Sequence, residues 1–277
     1  MKIDTHVHFW NYNRERDAWI SPNMQVLQKD FLPAGIIEVL TENEIDGVVA
    51  VQADQSETET LFLNRLAMEY PLIRGVVGWI DLQRNDIEER LQHFQQYPLI
   101  KGWRHIIQAE EEGFLLRENF IRGCRFLKQY NYTYDILIHH SQLQEVLSSA
   151  DKIPGQKMVL DHCGKPGIKE KEITNWAQMI RELSGHNEVY CKLSGLLTEA
   201  AWNEWTDAEL YPYLDIIFNC FGVNRIMYGS DWPVVLLSGK YKQWNDLVWR
   251  YMQTFSASEQ LAFWGTNALA FYNLDDR

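Results

Sequence analysis

His6 and His8 stand one residue apart in the run Ile3-Asp4-Thr5-His6-Val7-His8-Phe9, whose apolar and β-branched character predicts a short strand. Side chains two apart on a strand share a face, so the two imidazoles project together. Two later runs also end in residues able to do chemistry: Val159-Leu160-Asp161-His162, and the segment Gly229-Ser230-Asp231-Trp232-Pro233. Three imidazoles and a carboxylate are the donor set of a divalent metal site, and equally of a hydrogen-bonding cluster around a general base. Residue type does not separate the two. A lone His-x-His is usually incidental, and an Asp before Trp-Pro can simply cap a turn. The chemistry therefore depends on whether the fold gathers these runs at one place.

Eight short runs read as strands: 3–9, 47–52, 74–80, 102–107, 134–138, 158–162, 189–193 and 225–228. Helical periodicity fills the intervals at 56–70, 86–96, 118–130, 142–150, 173–184 and 210–221. Ser56-x-x-Glu59 and Ser256-x-x-Glu259 are predicted capping boxes, the second opening a terminal helix. Strands alternating with helices imply parallel pairing with right-handed crossovers, so the expected fold class is α/β, a (β/α)₈ TIM barrel in a single domain over residues 1–277. A doubly wound open sheet is the alternative. No repeat, low-complexity tract or linker divides the chain. Such barrels keep their chemistry at the carboxyl ends of the strands, which is where His6, His8, His162 and Asp231 fall. The long irregular stretch 11–33 after the first strand is expected to cover the mouth.

Composition narrows the possibilities. The 277 residues include 26 Lys+Arg against 38 Asp+Glu, a formal charge of -12, which disfavours nucleic acid and polyanionic substrates. At 46% hydrophobic residues the chain has ample material for a core. Its four cysteines lack CxxC spacing, so neither a disulfide framework nor a Cys-based zinc site is expected. No uncharged apolar run approaches the roughly 20 residues of a membrane span, and the opening strand does not read as a secretion signal. A cytoplasmic location is expected; the oligomeric state is open.

The strand-end residues belong to a wider pattern: Asp30-Phe31-Leu32-Pro33, Val51-Gln52-Ala53, Gly75-Val76-Val77-Gly78-Trp79, Lys101-Gly102-Trp103-Arg104-His105, Leu160-Asp161-His162-Cys163-Gly164-Lys165-Pro166, Cys191-Lys192-Leu193-Ser194-Gly195-Leu196 and Gly265-Thr266-Asn267-Ala268. In this order the segments resemble the amidohydrolase superfamily, and within it the branch of sugar and pyrone lactonases. The resemblance implies a hydrolase that opens an aldonolactone, such as L-fucono- or L-rhamnono-lactone, to the acid. It implies Asp231 as general base, with His6, His8 and His162 either ligating one divalent ion together with Asp231, zinc first, or polarising the carbonyl directly. The chain departs from the binuclear members, which carry a carboxylated Lys or a Glu at the end of the fourth strand. Here Lys101 stands at that strand's beginning, and a two-metal site is not expected.

On the same resemblance, Arg104 and His105 are candidates for holding the lactone, the rival for Arg104 being a structural ion pair. Trp10 and Trp232 are candidate pocket walls, since aromatic faces suit sugar rings, whereas Trp103 reads as core. Of His139 and His140, after the fifth strand, only one could point inward. Gln52, Asp81, Lys192 and Ser194 are further strand-end polar groups with backbone satisfaction as their rival reading. The cysteines are assigned no role. Two other functions suit the same residues: a metal-dependent decarboxylase of an aromatic acid, which needs several cations in the mouth, and a non-catalytic sugar-binding barrel.

Overall fold

The protein is described by a computed structural model covering residues 1–275. Eight strands lie in chain order and pair in parallel. They are β1 (Ile3–Val7), β2 (Gly47–Val51), β3 (Ile73–Gly78), β4 (Ile100–Ile106), β5 (Thr133–Leu137), β6 (Met158–Leu160), β7 (Val189–Leu193) and β8 (Ile226–Tyr228). The first and last strands meet through the segment after β8. Asp231 N–H donates to the His6 carbonyl (2.9 Å), and His8 N–H to that of Trp232 (2.7 Å). The result is the (β/α)₈ barrel expected, and its closure joins two of the candidate site segments through main-chain bonds.

β-branched and aliphatic residues dominate the strands because each is buried on both faces, against the helices outside and the barrel interior within. Inside, Val49, Val51, Val77, Val159 and Met227 pack against Phe271 and Tyr272 of the C-terminal helix Asn267–Tyr272, which closes the end of the barrel away from the candidate site. The larger apolar layer lies between strands and helices. Among the described residues no helix is long and apolar enough to cross a membrane.

Several expectations need correction. β6 stops at Leu160, because the following residues turn left-handed: φ is 53° at His162, 54° at Cys163, 70° at Gly164 and 48° at Lys165. β1 stops at Val7, since beyond it the chain swings out to bridge Trp10 with Phe31. β4 starts at Ile100, so Lys101 lies within it. The Ser256–Glu259 box forms with both reciprocal bonds, but at Ser56 only half of it does. Ser56 Oγ accepts from Glu59 N–H (3.1 Å), while the Glu59 carboxyl is turned inward to accept from the main-chain N–H groups of Ala53 and Asp54. The helix expected over 210–221 begins earlier, at Asp207, behind a Thr206–Glu209 box, and helix Tyr241–Met252 went unanticipated. Part of the stretch 11–33 folds into a turn, Pro22–Leu27, that packs against Val234–Leu237 after β8. It covers the mouth on the β1/β8 side.

Candidate active site

At the carboxyl ends of β1, β6 and β8 the barrel brings together the four residues singled out first. Asp231 Oδ1 lies 3.3 Å from His8 Nε2, 3.9 Å from His6 Nε2 and 4.0 Å from His162 Nε2. All four residues are buried. The opposite ring nitrogens are engaged: His8 Nδ1 at 2.8 Å from the Val51 carbonyl, His162 Nδ1 at 2.9 Å from Ser194 Oγ, and His6 Nδ1 beside Asp161 Oδ1 (3.4 Å) and Lys192 Nζ (3.3 Å).

These contacts test whether a cation fits. A carbonyl only accepts, so His8 carries its proton on Nδ1 and its bare Nε2 lone pair faces a carboxylate oxygen. Two acceptors at 3.3 Å repel unless positive charge sits between them. Ligand atoms about 3.3 Å apart are also what a tetrahedral ion with bonds near 2.0–2.1 Å requires. His6, His8 and Asp231 thus form one group with metal-ligating spacing, His162 Nε2 faces the same carboxylate, and the set fits one divalent ion.

Electrostatics are consistent with that arrangement. Burial alone would raise Asp231, but the imidazoles of His162, His8 and His6 outweigh it and hold the carboxyl well below the usual range. Burial lowers His162 to about 4 despite the pull of Asp231, and lowers His6 well below the ordinary histidine value despite Asp161. At neutral pH the site therefore presents an ionised Asp231 carboxylate beside the neutral rings of His6 and His162.

Beneath it lies a charged layer that the barrel interior buries completely. Lys192 Nζ contacts Asp135 Oδ2 (2.5 Å) and Asp161 Oδ1 (3.1 Å), and Tyr272 donates to Asp135 (2.8 Å). Arg104 donates to Gln52 Oε1 through Nε (3.0 Å) and NH2 (2.7 Å), also to the Gln52 carbonyl, and its NH1 reaches Asp161 Oδ2 (3.1 Å) and His6 Nε2 (3.2 Å). Burial would raise Asp161, but Lys192, His6 and Arg104 crowd it and hold it well below the carboxylate range. Arg104 is thus inside the barrel as part of an ion-pair network, touching His6 of the candidate set from below.

His105, next along β4, faces the other way. Its ring stacks on Phe114 (4.7 Å between centroids), accepts from Trp79 Nε1 at 3.2 Å and pairs with Glu110 at 2.7 Å. Trp10 lies 6.4 Å from the His8 ring, donates to the Lys29 carbonyl, and meets Phe31, which in turn packs on Trp232 at 5.1 Å. The two tryptophans thus share one aromatic cluster beside His8 and Asp231. Trp103 packs on Phe94 and Tyr132 in the core. His139 is exposed, and His140 Nδ1 turns to the Lys165 carbonyl (2.9 Å). Asp81 accepts from Gln83 N–H in its own loop. Sequence reasoning missed Asp135, although the signal is visible: Asp135 and Lys192 are opposite charges inside otherwise apolar strands, and a buried charge must find its partner.

Fold and site together define a barrel enzyme with a carboxylate and three imidazoles gathered at its strand ends. Residues 3–274 match the Amidohydrolase family, and the chain belongs to it. It is 36% identical to an L-fucono-1,5-lactonase of Burkholderia multivorans, covering 100% of this chain and 97% of the relative. An L-fucono-1,5-lactonase of Burkholderia ambifaria is 28% identical, covering 99% and 96%. A crystal structure of a Burkholderia multivorans amidohydrolase with bound zinc superposes with a TM-score of 0.96 at 36% identity, covering 99% of this chain and 100% of that one.

Proposed function

We propose that this protein hydrolyses a sugar lactone to its aldonic acid, with an aldono-1,5-lactone of the L-fucono type as the first substrate to consider and L-rhamnono-lactone the second. The observation that carries the reading is the ionised Asp231 carboxylate held among the Nε2 atoms of His6, His8 and His162 at a barrel mouth. The names of the full-length relatives supply the substrate class.

Asp231 takes a proton from water as the oxygen attacks the lactone carbonyl carbon. Electron pairs move onto the carbonyl oxygen and, on collapse, the bond to the ring oxygen breaks; the proton held by Asp231 then passes to the departing alkoxide. The imidazoles that keep Asp231 ionised also weaken it as a base, so attack depends on polarising the carbonyl. A divalent ion held by His6, His8, His162 and Asp231, zinc first, would supply that polarisation and lower the pKa of bound water towards about 7. Arg104 adds positive charge beside His6 from beneath. A lactone needs no more than this, because an alkoxide leaves more readily than an amine anion.

A decarboxylase must hold its substrate's carboxylate. Here the cations near the site each face an anion already: Arg104 with Asp161, Lys192 with Asp135 and Asp161, Lys165 with Glu199. This favours a neutral substrate. A role in carbohydrate breakdown in the cytosol goes with the reading, and four unpaired cysteines accord with a reducing compartment.

The test is a pH-indicator screen of aldono-1,4- and 1,5-lactones with and without chelator, alongside metal analysis. Acid release from one or a few sugar lactones is expected. A flat response across all of them rejects the assignment. Activity that survives complete metal removal selects direct polarisation by the protein's own groups.

A further inference from the structure

Two charged side chains border the catalytic set and take no part in the steps above. Lys165 ends the left-handed turn that also carries His162, with φ values of 53°, 54°, 70° and 48° over residues 162–165. Three of these residues bear a Cβ, for which that region is sterically costly, and strain of this kind persists where surrounding structure over-determines it, commonly at functional sites. The turn is pinned from both sides: Lys165 N–H donates to the His162 carbonyl (2.8 Å), and His140 Nδ1 lies 2.9 Å from the Lys165 carbonyl. Opposite stands Glu199, last residue of the short helix Leu196–Glu199 after β7.

Lys165 Nζ and Glu199 Oε1 are 3.7 Å apart, and the side chains are only 18% and 21% exposed. That separation is too long for a hydrogen bond, and neither charged end makes one to any other described residue. An ammonium offers three donors and a carboxylate two accepting oxygens, so a mostly buried pair is left with open capacity for both roles. The pair is close to the chemistry. Lys165 shares its turn with His162, and the helix that ends at Glu199 starts from Gly195, whose Cα lies against the His162 ring. A sugar hydroxyl donates and accepts at once, so it can bridge an ammonium and a carboxylate that do not hydrogen-bond each other.

We propose that Lys165 and Glu199 form the subsite that grips the ring hydroxyls and decides which aldonolactone is accepted. The proposal rests on the lactonase reading for its substrate class. It assigns the two residues to specificity rather than to bond breaking.

The experiment compares wild type with Lys165→Met, Lys165→Arg and Glu199→Gln on the best aldono-1,5-lactone and on δ-valerolactone, which has no hydroxyls. For Lys165→Met and Glu199→Gln the expected result is a KM on the sugar lactone raised about 10- to 100-fold, the range set by losing a hydrogen bond to a charged group. The loss on δ-valerolactone should be at least tenfold smaller, with partial rescue in Lys165→Arg. Equal losses on both lactones in folded variants, or no loss on the sugar lactone, overturn the proposal. Should Lys165→Met fail to fold, the near-isosteric Glu199→Gln decides alone. Failure of wild type on every lactone instead sinks the lactonase reading. The pair is then judged by calorimetric titration with the parent aldose, L-fucose: weaker binding to Glu199→Gln upholds it, and equal or undetectable binding to both proteins overturns it.

Discussion

Gly195 lies directly against the imidazole of His162: a Cβ added to this glycine would sit 2.5 Å from Nδ1 and 2.6 Å from Cγ. The glycine also has φ +68°, where a side chain is strained whatever the space. Gly195→Ala must push the ring off its bond to Ser194. A displacement of about 1 Å in a catalytic group costs on the order of 10²-fold in rate. We expect kcat to fall by about that factor with KM changed far less, measured by steady-state kinetics on protein checked for an intact unfolding transition.

Removing the proposed base without changing the shape tests its role. Asp231→Asn keeps the volume but can neither take the proton nor attract a cation as strongly. General-base catalysis contributes roughly 10²–10⁴-fold, and kcat should fall within that range. Wild-type turnover by this variant on the best lactone rules out Asp231 as the base.

Ser194 hydrogen-bonds the proposed catalytic set through His162 Nδ1, at 2.9 Å. Partners of this kind fix a ligand ring's orientation, and losing one typically weakens metal affinity about 10–100-fold. Ser194→Ala should show that loss in zinc titrations against a competing chelator. Unchanged affinity would mean that His162 is held without its partner.

The Lys192 ammonium is fully buried between Asp135 and Asp161. Replacing it by methionine leaves Asp135 without its counter-charge and Asp161 with Arg104 alone, and removing one partner of a buried ion pair typically costs about 3–5 kcal/mol. Chemical denaturation of Lys192→Met should report a loss of this order. The double variant Lys192→Met/Asp135→Asn should recover part of it, because the stranded charge is gone.

Burial pushes Glu59 up to about 8 from an ordinary value of 4.5, against the Asp54 and Ala53 N–H groups. A carboxyl with a raised folded-state pKa binds its proton more tightly in the native state. Its stabilisation is complete below pH 4.5 and is lost as pH rises towards 8. His162, lowered from 6.5 to about 4, has the opposite sign, adding stability as pH rises between those values. Between about pH 6.5 and 8 the Glu59 contribution is thus unopposed by His162, with a limiting slope of about 1.4 kcal/mol per pH unit. Thermal melts of wild type should weaken across that interval, and Glu59→Gln should flatten the dependence. Parallel curves for the two proteins would show that Glu59 is already ionised below it.

Much of this protein is legible in its sequence because the relevant rules are local. Strand alternation put His6 and His8 on one face, β-branched runs separated by amphipathic ones announced the parallel barrel, and that architecture directs chemistry to strand ends. The set His6, His8, His162 and Asp231 follows from those facts. Local pattern is silent about partners distant in the chain. That Lys192 answers both Asp135 and Asp161, that Arg104 turns inward while His105 turns away, and that Glu59 abandons its capping box for the loop after β2 depend on which strands become neighbours when the barrel closes. The left-handed turn through His162 to Lys165, and the 3.7 Å gap between Lys165 and Glu199, belong to the same class. Sequence determined which groups are available and which end of the barrel they occupy. Tertiary structure decided how they pair, because burial removes water as a partner and obliges each charge to find another wherever the chain has brought one within reach.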